Sequence, residues 1–143
     1  MRSPDVQPLG MFSYVSVEDR VPSDHPIRKL RILVDAILGE LDDLLGERYA
    51  EGGRPSIPPE RILRASLLQV VYSVRSERLL MEQMNYNLLF RWFVGLNMDD
   101  AVWDHTTFSF NRERLFDEAI AQRFFEHTVL LARVHELVSD EHF

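Results

Sequence analysis

A run of apolar residues between Ile27 and Leu45 recurs at steps of three and four, and this spacing constrains the fold more than any other feature. The run consists of Ile27, Leu30, Leu33, Val34, Ile37, Leu38, Leu41, Leu44 and Leu45. Such steps place the side chains along one face of a helix. Pro26 suits the first turn of that helix, because a missing N–H costs nothing there. The sequence therefore predicts a long amphipathic helix whose apolar face must be covered.

The helix has predicted end points and two ways of covering its apolar face. Ser23 or Asp24 can cap its start, and Gly46 or the pair Gly52–Gly53 can end it. The stripe covers either the core of its own domain or an interface with a second copy, and leucine-rich stripes do not separate these alternatives. The candidate dimer interface consists of Leu30, Val34, Ile37 and Leu41.

The rest of the chain also favours helices. The predicted segments are Pro59–Val74, Glu77–Asn85, a short apolar segment LLFRWFVGL ended by Gly95, about ten residues capped by Asp104 or Thr106, and Asp117–Val138. Prolines and the FSYVSV segment at the start predict an irregular, partly extended arm over residues 1–23. We expect an all-α fold, an orthogonal bundle of five or six helices over residues 24–143 with a helix-turn-helix-like portion.

Composition narrows the class of protein. The chain has 143 residues and no cysteine, so it can form a core of its own but neither a disulfide framework nor a thiolate metal site. It has no apolar run of about 18 residues and no secretory signal. We therefore expect a cytoplasmic protein with no membrane partner and no small-molecule substrate.

The net charge of −7 argues against a nucleic-acid partner, but the charge is unevenly distributed. Residues 54–116 contain eight arginines and seven acidic residues, whereas both flanking segments are acidic. Arginine suits bidentate contacts to phosphate and guanine. A DNA-facing surface should therefore lie in the middle third of the chain.

Patterns typical of catalytic sites are weak in this sequence. Most acidic residues fit helix caps or solvated faces, and the five histidines, His25, His105, His127, His135 and His142, form no HExxH pair. The chain has no GxSxG motif and no cysteine for nucleophilic catalysis. A small metal-dependent enzyme remains the least favoured alternative.

A DNA-binding helix pair has more support. The segments SERLLMEQMNYN and HTTFSFNRERL have the parts of a packed helix and a polar recognition helix, although about twenty residues separate them. The candidate DNA contacts are Arg75, Arg78, Thr106, Thr107, Ser109, Asn111, Arg112 and Arg114. Phe108 and Leu115 would anchor the second helix. An exposed amphipathic helix without DNA affinity often has the same composition.

An aromatic cluster leaves a similar choice open. Phe90, Trp92, Phe93 and Trp103 suit a buried core, and the alternative is a surface that binds a partner.

Several stretches together resemble one family, the DDE transposases of bacterial insertion sequences of the InsH type. The matching stretches are RVPSDHPIRKLR, GRPSIPPERILRASLLQVVYSVRSERLLMEQMNYNLLFRWFVGL, VWDHTTFSFNRERL and LVSDEHF. With the segments between them they cover nearly the whole chain from about Phe12. The long central stretch is rarely shared by chance, so the resemblance is specific.

The resemblance implies a helical N-terminal domain, followed in the family by an RNase H-like domain whose two aspartates and one glutamate bind divalent metal, Mg²⁺. No catalytic carboxylate is transferred to Asp140 or Glu141, and the chain ends at Phe143 where that domain would begin. We therefore expect a non-catalytic module without a cofactor of its own. It would bind the terminal inverted repeats of the element as DNA partner and could form a homodimer; the alternative is an acidic dimerisation module with little DNA affinity. A truncated frame, an expressed fragment or a degenerate gene copy would each give such a chain.

Overall fold

The computed structural model describes residues 2–51 and 57–134, without the side chains of residue 41, residues 43–51, Ile120 and Val134. All regular structure in these residues is helical, which confirms the predicted all-α bundle. The helices are α1 Val17–Arg20, α2 Ile27–Glu51, α3 Pro59–Val71, α4 Glu77–Tyr86, α5 Leu88–Val94, α6 His105–Phe116 and α7 Ala119–Val134. The count exceeds the predicted five or six because of α1, which lies inside the predicted N-terminal arm.

Helix α2 uses its apolar stripe within its own chain. Leu30 and Val34 have no exposed surface and Ile37 is 9% exposed, because α3 and α7 pack against this face. At the start of α2, Nδ1 of His25 accepts a hydrogen bond from Ile27 N–H at 3.1 Å. The side chain that caps the first turn is therefore that of His25, and not that of Ser23 or Asp24 as predicted. The helix also continues through Gly46, which rules out the earlier of its two predicted ends.

Helix α3 is the central element, and its end differs from the prediction. It begins at Pro59 as predicted, and its side chains are buried on several sides. It stops at Val71 instead of Val74 because Ser73 adopts a left-handed conformation with φ of 52°. The N–H of Ser73 then donates to the carbonyl of Val70, and the N–H of Val74 to that of Gln69. These two bonds form a Schellman motif, which satisfies the last carbonyls and ends the helix.

Helices α4 and α5 follow with caps that the local sequence supplies. The Ser76 side chain accepts from Leu79 N–H and caps α4 as predicted. Asn87 separates the two helices and its side chain accepts from the N–H groups of Leu89 and Phe90. The apolar segment predicted before Gly95 forms α5, and Gly95 ends it with a φ of 100°, a conformation that favours glycine.

The arm is anchored through α1 and a buried tryptophan. Glu18 accepts hydrogen bonds from Nη1 of Arg28 at 2.6 Å and from Nε1 of Trp92. The guanidinium groups of Arg28 and Arg31 lie 4.9 and 4.4 Å from the centre of a Trp92 ring. The hydrogen bond from Arg28, then that from Trp92, lowers the pKa of Glu18. Of the four aromatic residues left open by the sequence, Phe90, Trp92 and Phe93 are buried and Trp103 is half-buried.

Candidate nucleic-acid interface

Helices α4 and α6 pack against each other although α5 and a loop separate them in sequence. Arg112 of α6 reaches both neighbouring helices through its Nη1 atom. This atom donates to Oε1 of Gln69 in α3 at 2.6 Å and to Oε1 of Glu77 in α4 at 3.0 Å. The Arg112 guanidinium also lies 5.7 Å from the Phe116 ring centre. These contacts fix α6 in position relative to α3 and α4.

Asp104 determines where α6 begins. Its Oδ2 accepts a hydrogen bond from Thr106 N–H at 3.1 Å, so of the two predicted caps the aspartate is the one used. Desolvation raises the pKa of Asp104, but the hydrogen bonds from the side chain and N–H of Thr106 outweigh it, so the net shift is downward. The carboxylate therefore remains charged at the helix N-terminus, where the helix dipole favours it.

Buried Arg91 holds the loop that leads to Asp104. It is 4% exposed and donates only to carbonyl groups: Nε to Asn85 at 2.9 Å, Nη1 to Asn97 at 2.6 Å, and both Nη atoms to Asp100 at 3.1 Å. One side chain thus connects the last turn of α4 with the loop before α6. Its cation lies near the C-terminal end of α4, where the helix dipole stabilises positive charge.

Arg78 joins the outer surface of α4 to the first residue of α6. Its Nη2 lies 3.3 Å from Nε2 of His105, and this distance suits a hydrogen bond if that ring nitrogen is the acceptor. Beside this pair, an open cleft of about 360 Å³ separates α4 from residues 102–105. The cleft is lined by Arg78, Met81, Glu82, Asn85, Val102, Trp103, Asp104 and His105.

The residues predicted to contact DNA fall into three groups by exposure. Exposed side chains are those of Arg75, Arg78, Thr106 and Arg114, and half-buried ones are those of Thr107, Ser109 and Arg112. Asn111 is 6% exposed, and its Nδ2 donates to the Thr107 carbonyl at 2.8 Å. The structure therefore brings Arg78 and the start of α6 together at the surface, whereas Asn111 and Arg112 are engaged in contacts within the fold.

Sequence reasoning missed Phe110 as a candidate contact. This side chain is 66% exposed, while Phe108 on the same helix is fully buried. Phe110 lies four residues after Thr106 and four before Arg114, so all three share one face of α6. That i, i+4 spacing to Thr106 and Arg114 is the signal in the sequence that indicates the exposed position of Phe110.

The residues predicted to form a dimer interface lie on α2, away from the surface formed by α4 and α6. Leu30, Val34 and Ile37 are buried in the core described above, and the side chain of Leu41 lies outside the described residues. So do His135 and His142, the predicted end of the last helix at Val138 and the LVSDEHF segment.

Two further findings concern chemistry and membranes. Within residues 2–51 and 57–134, no group of three or more His, Cys, Asp or Glu side chains could hold a metal ion. These described residues therefore do not provide the donor set that the resemblance implies for a divalent metal. In the same part of the chain, no helix combines the length and the apolar character needed to cross a membrane.

Comparison with known proteins adds a family. The family model described as "Transposase domain (DUF772)" matches residues 15–114, from two residues before α1 to Arg114 near the end of α6. Neither a curated protein nor a solved structure matches the chain. The family match covers more than half of the 143 residues and includes α1 to α5 and most of α6. The chain therefore belongs to the DUF772 transposase domain family.

Proposed function

We propose that this domain binds the DNA ends of a transposable element through a helix-turn-helix-like surface formed by α4 and α6, and that it takes no part in strand cleavage. The observation that carries the proposal is the contact between Arg78 and His105, which places an exposed arginine of α4 at the first turn of α6. Membership in a transposase domain family supports a role on DNA. Divalent metal chemistry is proposed to belong to the catalytic part of such proteins, and the cytoplasm is the proposed location.

The dimensions of α6 fit a DNA groove. From His105 to Arg114 the helix rises about 13 Å, at about 1.5 Å per residue. The major groove is about 12 Å wide and admits one helix. His105 and Arg114 are nine residues apart, which at about 100° per residue places them on opposite sides of α6. If α6 lies along the groove, Arg78 beside His105 and Arg114 therefore each face one of the two phosphate backbones.

Salt dependence gives a quantitative test. Three exposed arginines, Arg75, Arg78 and Arg114, are available for phosphate contacts. Each phosphate contact contributes about −0.9 to the slope of log K against log salt, so we expect a slope of about −2.7. The measurement is fluorescence anisotropy of the full chain with duplexes of about two helical turns, selected by the protein from a random-sequence pool.

Arg112 and Arg114 form a matched pair for this test. Arg114→Ala removes an exposed cation, so the slope should become shallower by about 0.9 while stability is unchanged. Arg112→Ala removes the contacts to Glu77 and Gln69, so it should cost about 1–2 kcal/mol of stability and leave the slope unchanged. Failure of the folded chain to bind any duplex at low salt would refute the proposal. An equal effect of both substitutions on the slope would refute the assigned surface.

A second candidate function is dimerisation, and one observation favours it. Because Leu30, Val34 and Ile37 are buried, a second copy would need another surface. An apolar cleft of about 500 Å³ lies between α3 and α7, lined by Val70, Phe125, Glu126, Val129, Leu130 and Arg133. Leu130 is 60% exposed at this cleft. Light scattering at high protein concentration should give twice the chain mass if the cleft pairs two copies, and Leu130→Ser should restore the monomer. A monomer mass for the wild type would remove this candidate.

A further inference from the structure

Phe110 is an exposed aromatic side chain in the middle of an otherwise polar helix face. It is 66% exposed, and its neighbours one turn away on α6 are the exposed Thr106 and Arg114. Single exposed apolar residues are common on protein surfaces and carry little meaning alone. This one has Arg114 one turn away, and Arg78 of α4 contacts His105 at the start of the same helix.

The spacing along α6 places Phe110 near the midpoint between those cations. It lies five residues after His105, which Arg78 contacts, and four residues before Arg114. At about 1.5 Å per residue these separations are about 7.5 and 6 Å. Around the helix, at about 100° per residue, Phe110 lies about 140° from His105 and about 40° from Arg114. With α6 along the groove and the two cations towards its two walls, Phe110 faces the base edges on the Arg114 side.

Major-groove base edges offer few partners for a phenyl ring. Adenine, guanine and cytosine present hydrogen-bond donors and acceptors there, whereas thymine also presents its C5-methyl group. A phenylalanine side chain can neither donate nor accept a conventional hydrogen bond, so its favourable partner is that methyl group. Burying polar base edges against the ring without a partner would be unfavourable.

We infer that Phe110 reads thymine: it contacts the C5-methyl group of a thymine opposite the centre of α6 and so sets part of the sequence preference of the domain. This inference rests on the proposed DNA-binding function and adds a base-specific contact to it. Arginine contacts to phosphate position a protein but carry no sequence information directly, so specificity comes from base-edge contacts such as that of Phe110 or from DNA shape.

Deoxyuridine substitution tests the inference directly, because uracil pairs like thymine but lacks the methyl group. The probe is one selected duplex of about two helical turns, in which each thymine is replaced singly by deoxyuridine. At one or two positions we expect the affinity of the wild-type chain to fall about fourfold for each methyl group lost. Phe110→Ala should bind the unmodified duplex about fourfold more weakly and show no further loss at the same positions.

Two variants control the experiment. Phe110→Leu retains an apolar side chain and should keep the sensitivity to uracil, which distinguishes methyl contact from a loss of helix structure. Ile32→Ala removes an apolar side chain of similar exposure, 70%, from α2 and should leave the uracil profile unchanged. Circular dichroism and urea unfolding should show that all three variants fold like the wild type, since the altered side chains are exposed.

The outcomes separate this inference from the function on which it rests. Absence of binding to every duplex overturns both. Specific binding that is insensitive to uracil at every position overturns the thymine contact and leaves the DNA-binding function standing. Equal sensitivity of the wild type and Phe110→Ala at the same positions also overturns it, because the methyl effect would then arise from DNA shape and not from the ring.

Discussion

Replacing Arg91 should destabilise the domain and release the loop that begins α6. The side chain is 4% exposed and donates to the carbonyls of Asn85, Asn97 and Asp100. Hydrogen bonds that involve a charged group contribute about 1.5–3 kcal/mol each, and water entering an opened loop would recover part of the loss. For Arg91→Ala we therefore expect a decrease of about 4 kcal/mol in the free energy of unfolding.

Arg91→Lys separates the effect of charge from that of geometry. An ammonium group keeps the positive charge but is a compact donor, whereas the planar guanidinium spans three carbonyls on two sides. The lysine should recover about half of the stability, leaving a loss of about 2 kcal/mol. Since domains of this size are stable by about 5–15 kcal/mol, this variant stays folded and its DNA affinity can be measured.

Urea unfolding and hydrogen exchange together test this reasoning. The exposed Arg123 of α7 supplies the control, and Arg123→Ala should change stability by less than about 0.5 kcal/mol. Amide protons of residues 96–104 should exchange faster in Arg91→Lys, because the carbonyls of Asn97 and Asp100 lose their shared donor. Stability within about 0.5 kcal/mol of wild type for both Arg91 variants, with unchanged exchange, would refute the account.

Three further predictions concern the helix ends and the arm. Gly95→Ala should cost about 1–2 kcal/mol because φ is 100° there, whereas Gly39→Ala in the interior of α2, with open space around it, should add about 0.5–1 kcal/mol in urea unfolding. Asp104→Ala should be less stable than wild type at neutral pH. Because folding lowers the pKa of the Asp104 carboxyl below its ordinary value of 3.8, the stability that its charge provides is lost as the pH falls below that value. In a pH series of thermal melts, the difference in stability between Asp104→Ala and the wild type should therefore shrink at low pH. A difference that stays constant would contradict this prediction. Glu18→Gln removes the negative charge that pairs with Arg28, whose guanidinium lies over the Trp92 ring, and so weakens the anchoring of α1. Trypsin should therefore cleave faster at Arg20 in α1, and an unchanged cleavage rate would contradict this role of Glu18.

The sequence predicted those features that depend on neighbours along the chain. Such features are Pro59 as the first residue of α3, Ser76 as a cap, Asp104 as one of two candidate caps and Gly95 as a helix end, and each follows from a residue and the few positions beside it. The i, i+3, i+4 stripe of α2 likewise identified the buried face. Such local rules apply regardless of how the helices pack.

Features that depend on tertiary neighbours could not be predicted in the same way. Arg91 reads as a polar interruption of an apolar segment, but packing surrounds it with carbonyls that act as its partners. In the sequence, Asn111 is typical of a side-chain amide that contacts DNA bases. In the structure, α6 is oriented with Asn111 towards the core, so that Asn111 is buried and Phe110 is exposed. Ser73 ends α3 in a left-handed conformation that serine seldom adopts, so no local signal marks it.

Packing also changes the meaning of the arginine count. Five arginines of the middle third contact groups within the fold: Arg61 the Gly95 carbonyl, Arg64 the Asp35 carboxylate, Arg78 the His105 ring, Arg91 its carbonyls and Arg112 the Glu77 carboxylate. The surplus counted from the sequence therefore overstates the charge that can meet phosphate. For a chain with a net charge of −7, sequence-independent attraction to DNA must be weak. If this domain recognises transposon ends, contacts to base edges have to supply much of the affinity, and an exposed phenyl ring between two arginines is suited to that task.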